Sequence, residues 1–285
     1  MQERLDPLIA ERAPWLFDNG LGPAVARRAL TDLLGYPRTV ALGERLAPKP
    51  APEIMATMGA QLARSVRVSG LENIPWHGGA LIVANHPTGI ADGIILHHAL
   101  APIRPDLFFY ANSDILRVLP QMTQLIAPVE WRREKRSMTK TRETMAYTRT
   151  ALGQGRLGVI FPSGRLAKRR GLRLFERPWM ASAAMIARKF DVPVIPIHIQ
   201  ARNSVLFYLF DLIHPTLRDI TLFHETLNKD RQPFQVTIRE PISAAALPAR
   251  SEEGIAMLRD TTLALAGSAT AGVSLLQATK RPSWV

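Results

Sequence analysis

Short apolar runs, each cut off by turn residues, constrain this chain most. ALIVA (80–84) stops at Asn-His-Pro, VIF (159–161) stops at Pro-Ser-Gly, and VPVIPIHI (192–199) closes on Gln-Ala. Unbroken apolarity over so few residues suits a strand buried on both faces. Stretches of helical character lie between them: GIILHHAL, Met138 to Leu152, PWMASAAMIARKF with Pro at its start, and EEGIAMLRDTTLALAG. SVRVSG, DLFFYANSD and PFQVTIREPIS read as further strands, and the prolines of VPVIPIHIQ predict a bent or edge strand. Strands alternating with helices predict an α/β fold, a sheet sandwiched by helices. The last 15 or so residues read as loose.

Residues 1–62 differ in texture. They read as helices broken by Pro and Gly, an N-terminal helical extension on an α/β domain spanning 63–285, with PKPAP (48–52) as a linker. No apolar run approaches the roughly 18 residues a spanning helix needs. The N-terminus carries early acids and no signal-peptide core. The expectation is a protein on the cytoplasmic side, peripheral to a membrane, with no spanning helix.

Charge narrows the partners. With 36 Lys+Arg against 24 Asp+Glu the formal net charge is +12, which attracts nucleic acid, anionic lipid or acidic small molecules. The basic runs lack interleaved aromatics of the kind single-strand binders use, so no nucleic acid is expected. There is no cysteine, which excludes disulfides, thiolate metal sites and a cysteine nucleophile. No His/Asp/Glu spacing suggests a metal and no nucleotide loop is present, so neither metal nor cofactor is expected.

Two strand ends carry chemistry. His86 follows ALIVAN by one residue, and ligands of open α/β sheets bind beyond the carboxyl ends of strands. Pro87 stops the strand, Gly89 permits a sharp turn, and a helix beginning near Ile90 or Ala91 places Asp92 in its first turn. Six residues apart, His86 and Asp92 cannot meet on one straight helix; they meet only if His86 stays in the loop and the chain folds back at Gly89. One reading is a base oriented by an acid, with the nucleophile supplied by a substrate hydroxyl. The other is a structural loop histidine beside a helix N-terminal acid. The second strand end, FPSGR, offers Ser163, Gly164 and Arg165: close backbone approach and a planar fork for phosphate or carboxylate, or simply a surface turn. Pro-Ser-Gly does not signal a nucleophile elbow at Ser163. Lys168-Arg169-Arg170 reads as a solvated or lipid-facing run, and His97 and His98 as structural.

Together these pieces resemble the PlsC-like, lysophosphatidate-type glycerolipid acyltransferase superfamily, in its hemolysin-like branch. The resemblance rests on NHPTGIADG, on FPSGRLA, on VPVIPIHI, on ANSDILRVLPQMTQLIAPVEWRREKRS and on the LNK…VTIREPI ending, in family order over about residues 65–245. It implies a mixed, largely parallel sheet flanked by helices. It implies O-acyl transfer from acyl-CoA or acyl-ACP to a lysolipid hydroxyl in membrane lipid biosynthesis, on an anionic membrane surface. His86 is then the general base and Asp92 its orienter; Ser163, Gly164 and Arg165 hold the acceptor's polar head. Asn112 and Arg132 border the site by analogy. Two departures bear on the acceptor. Five residues separate His86 from Asp92 where the commonest form has four, and Ser163 stands where the family has Glu, with its Thr missing. The acceptor is lysophosphatidate-like or a lyso-aminolipid of the lyso-ornithine type. A non-catalytic, basic, membrane-associated protein is the remaining alternative.

Overall fold

The computed structural model describes residues 1–130, 137–229, 232, 234–267 and 272–275. Helices α1 (Gln2–Arg12), α2 (Leu21–Leu33), α3 (Tyr36–Leu46) and α4 (Ala51–Leu62) come first. Strands and helices then alternate: β1 (Val66–Ser69), β2 (Ala80–Ala84), α5 (Ile90–Leu100), β3 (Leu107–Asn112), α6 (Asp114–Val118), β4 (Ile126–Val129), α7 (Met138–Gly153) and β5 (Leu157–Ile160). A hairpin of β6 (Lys168–Arg170) and β7 (Arg173–Phe175) precedes α8 (Ser182–Phe190) and β8 (Val194–Gln200). The chain closes with α9 (Val205–Ile213), α10 (Pro215–Asn228), β9 (Phe234–Ile238), α11 (Ser251–Ala264) and β10 (Gly272–Ser274).

The main sheet has seven strands in the order β1-β9-β8-β2-β5-β3-β4. β8, β2, β5, β3 and β4 run parallel, while β9 is antiparallel to β8 and carries β1 parallel to itself. This is a mixed, largely parallel sheet flanked by helices. A small antiparallel sheet, β10-β7-β6, stands apart from it.

β2 sits at the centre with all five residues buried. Its alternate side chains serve two layers, as a period of two requires. Ala80, Ile82 and Ala84 join Leu8 of α1, Leu42 and Leu46 of α3, Ile54 of α4 and Ile95 of α5. Leu81 and Val83 join Ala183 and Ile186 of α8 and Ile255 and Leu258 of α11. The N-terminal helices α1, α3 and α4 thus form part of the layer on one face of the sheet. PKPAP is no linker: Ala51 is fully buried and Pro50 and Pro52 flank the start of α4, where proline's missing N–H is harmless.

Two expectations need correcting. β8 is not an edge strand; it pairs with β2 on one side and β9 on the other. Its proline is accommodated by a bulge. The β8–β9 register runs Ile197↔Ile238 but Val194↔Ile242, so residues 239–241 hold one more residue than 195–196 opposite them. Pro196 and Pro241 both fall in this irregular stretch, where ladder donors are missing anyway. Helix α8 starts at Ser182 rather than at Pro178, because Trp179 is buried and its indole donates to Glu176 at 3.1 Å, holding 178–181 off the helix. The C-terminal stretch expected to be loose falls largely outside the described residues.

Candidate active site

The loop after β2 does what the spacing demands. Gly89 has φ +94°, a conformation closed to most side chains, and the chain reverses there into α5. A Cβ on Gly89 would also lie 3.2 Å from Leu166 Cδ2 and 3.4 Å from Leu222 Cδ2. The reversal brings His86 Nδ1 to 2.9 Å from Asp92 Oδ2. Asp92 has no exposed surface, and further donors converge on it: Thr88 N at 2.9 Å, Gly89 N at 3.0 Å and the Thr88 hydroxyl. The Gly89 bond is half of a capping box, with Asp92 at the third helical position, where the helix dipole favours negative charge. The contact is close but not aligned as a hydrogen bond, and a carboxylate there favours the tautomer with its proton on Nδ1. The ring also stacks on Phe161, centroids 4.2 Å apart.

Asn85 fixes where this loop departs. Its amide donates to Ile199 O at 2.8 Å and accepts from Ile199 N at 2.6 Å, so a side chain extends the ladder between β2 and β8.

The turn after β5, the neighbour of β2 on its other side, brings Ser163, Gly164 and Arg165 to the same sheet edge. Gly164 has φ +60° and donates its N–H to Phe161 O at 2.9 Å. Ser163 is buried; its Oγ donates to Arg165 O at 2.8 Å, and its side chain also helps hold down the pKa of Glu176. Ala167 N donates to His86 O at 2.9 Å, stitching this segment to the dyad loop.

Sequence reasoning missed Glu176, which follows β7. Its Oε2 accepts the His86 backbone N–H at 3.2 Å and its Oε1 the Trp179 indole. Burial pushes this carboxyl above its ordinary range, opposed by the bonds from His86 and Trp179. Its signal was present, since it is the only acid between residues 165 and 190.

Asn112 is not brought to the dyad. It ends β3, with β5 between it and β2, and its side chain closes a local turn with Asp114, accepting from Asp114 N at 3.0 Å. Arg132 lies outside the described residues. His97 is buried on α5 near Phe109, where burial lowers its pKa, and His98 packs against Gly59 of α4. Among the described residues no cluster of three or more His, Cys, Asp or Glu could hold a metal.

Comparison with known proteins is consistent with this layout. Residues 65–200 match the family model described as Acyltransferase. A lyso-glycine lipid O-acyltransferase of Phocaeicola vulgatus is 26% identical over 187 residues, covering 64% of this chain and 65% of that protein. A protein of the same name from Bacteroides thetaiotaomicron is 24% identical over 187 residues, 64% of this chain and 67% of that one. An uncharacterized protein of Mycobacterium leprae is 32% identical over 167 residues, 55% of this chain and 40% of that one. The chain thus matches about two thirds, or less, of these relatives' length. Among solved structures, the 1-acyl-sn-glycerophosphate acyltransferase PlsC of Thermotoga maritima superposes with TM-score 0.48 and 17% identity, over 80% of this chain and 81% of that one. The similarity to acyltransferases thus lies in the 65–200 segment, which holds both the dyad loop and the turn after β5.

Proposed function

We propose that this chain transfers a fatty acyl group from an acyl thioester, acyl-CoA or acyl-ACP, to a hydroxyl of a lysolipid. The observation that carries the reading is the 2.9 Å contact between His86 Nδ1 and a fully buried, hydrogen-bond-saturated Asp92. Nε2 takes the proton of the acceptor hydroxyl as that oxygen attacks the thioester carbonyl. Collapse of the tetrahedral intermediate breaks the C–S bond, and the imidazolium returns the proton to the leaving thiolate. Asp92 steadies the imidazolium between the two transfers. No protein nucleophile is needed, and the buried Ser163, bonded to Arg165 O, is poorly disposed to be one. No cofactor enters beyond the thioester itself.

Gly164 and Arg165 hold the acceptor's polar head in this reading. Two acceptors remain in play. The name of the Phocaeicola and Bacteroides relatives favours a lyso-aminolipid, as does Ser163 in the place of the family's Glu. Lysophosphatidate is the second.

The protein works as a peripheral protein on the cytoplasmic face of an anionic membrane. No described helix is long and apolar enough to span one. The docking surface is broader than the N-terminal region, because α9 exposes Val205, Leu209, Leu212 and Ile213 along one face. Leu206 and Phe210 of α9 share a small apolar cluster with Ala26 and Leu30 of α2, whose Leu21 and Val25 are exposed. The basic β6–β7 hairpin adjoins α9, with Arg169 Nε 4.0 Å from Asp211.

The test is transfer by purified protein from labelled acyl-CoA and acyl-ACP to lysophosphatidate, lyso-ornithine lipid and lyso-glycine lipid. We expect product with at least one acceptor, and a loss of about 10²–10⁴-fold in His86→Ala. Undiminished transfer by that variant would remove His86 as base. Vesicle binding with no transfer to any acceptor would point to the non-catalytic alternative.

A further inference from the structure

The loop leaving β8 carries a cluster that the proposed chemistry does not use. β8 borders β2 on the side away from β5, so residues 201–204 leave the sheet at the His86 edge, on the opposite flank from Arg165. Lys229, at the end of α10, is 1% exposed and clamps this loop from behind. Its Nζ donates to Asn203 Oδ1 at 2.6 Å, Glu225 Oε2 at 2.7 Å and Arg202 O at 3.1 Å. Glu225 in turn accepts Ser204 N at 3.0 Å and the Ser204 hydroxyl. A buried ion pair costs much to desolvate, and here its bonds converge on one short loop.

The clamp leaves the Arg202 side chain idle. Among the described residues its Nε is buried with no partner, and the guanidinium otherwise reaches only Asn203 O, at 3.5 Å. Beside it, Nδ2 of the fully buried Asn203 is also unpartnered. Neither nearby acid answers Arg202: Glu225 is taken by Lys229 and Ser204, and Asp92 by the dyad loop. The Tyr208 hydroxyl accepts Asn203 N at 3.1 Å and feels the charges of both Arg202 and Asp92, which places the three in one neighbourhood. Burial also draws Arg202 below the ordinary arginine range. A guanidinium held half out of water, with five donors and no bonded acid, is a site for an anion.

We propose that Arg202, with Asn203 beside it, binds the anionic head group of the acceptor, a carboxylate or a phosphate, on the flank of the dyad opposite Arg165. The inference rests on the lysolipid reading and deepens it, dividing head-group recognition between the loops after β5 and β8.

Binding separates the two claims. His86→Ala protein, with and without Arg202→Gln, is titrated calorimetrically with short-chain lysolipids bearing phosphate (lysophosphatidate), carboxylate (lyso-glycine lipid) or no charge (monoacylglycerol). We expect Arg202→Gln to weaken one or both anionic ligands at least tenfold and the neutral one less than twofold; the larger loss identifies the head group. Equal effects on all three, no effect, or no binding by the parent protein would overturn the proposal. A thermal midpoint within a few degrees of the parent shows that Arg202→Gln still folds, and Arg202→Lys should recover part of the affinity. Arg202-dependent anion binding without acyl transfer in the wild-type chain would keep the site and sink the transferase reading. Transfer indifferent to Arg202 would do the reverse.

Discussion

Asp92 collects the imidazole, two backbone amides and a hydroxyl in a place without solvent. An amide there would present a donor to groups that are themselves donors, and would turn the ring towards the wrong tautomer. Asp92→Asn should therefore lower kcat by about 10²–10⁴ while leaving the KM for lysolipid within a few fold, a split read by steady-state kinetics. Glu176 acts one step removed, through the His86 backbone N–H. Glu176→Gln keeps the acceptor that His86 N needs, so it should cost under tenfold; Glu176→Ala, which orphans both that N–H and the Trp179 indole, should cost more in the same assay. The His86–Asp92 meeting was legible because both partners lie in one short loop whose glycine permits only a reversal. Glu176 was not, because its partner is 90 residues away in sequence and only the β6–β7 hairpin brings them together. Asn112 could be placed from sequence only at a strand end; that its amide bonds Asp114 is visible only in the structure.

At the scale of elements, the runs that stop abruptly were legible as strands, since ALIVA, LGVI and VIPIHIQ have no other way to bury both faces. Helix α9 was not, because nine residues that are apolar nearly all round carry no readable face until α10 packs against them. The central position of β8 was also hidden, since it depends on a bulge shared with residues 239–241. That position has a titration consequence. His198, 2% exposed on β8, has its pKa lowered by burial from 6.5 to about 4. It stays neutral in the folded state where the unfolded chain takes up a proton. Its contribution is therefore intact above pH 6.5, falls as pH drops from 6.5 towards 4, and is gone below that. The full loss is on the order of 3 kcal/mol. Urea unfolding at pH 7.5 and pH 4.5 should show wild type losing more stability than His198→Leu over the same interval.

The whole molecule is a basic body, net charge +12, and among its described residues α9 exposes an apolar face of Val205, Leu209, Leu212 and Ile213. On the proposed membrane reading, that face is where docking is tested. Leu209→Asp with Leu212→Asp should cut binding to vesicles containing anionic lipid at least tenfold in a flotation assay. Both side chains are exposed, so the thermal midpoint should hardly move. Raising the salt should weaken the wild type as well, because part of the attraction is screened charge. Retention of full vesicle binding by the double variant would move docking elsewhere.

The Asn85 clamp bears on how acceptors are told apart. It fastens the exits of β2 and β8 with two hydrogen bonds in a dry environment. The strand ends from which the loops bearing His86 and Arg202 depart are thereby tied to each other. On the proposed reading, a bulkier head group is not readily admitted by opening the strands at this point. It must be met by exchanging side chains along the rim, so a change of acceptor in this fold is a matter of a few substitutions, with the backbone left as it is.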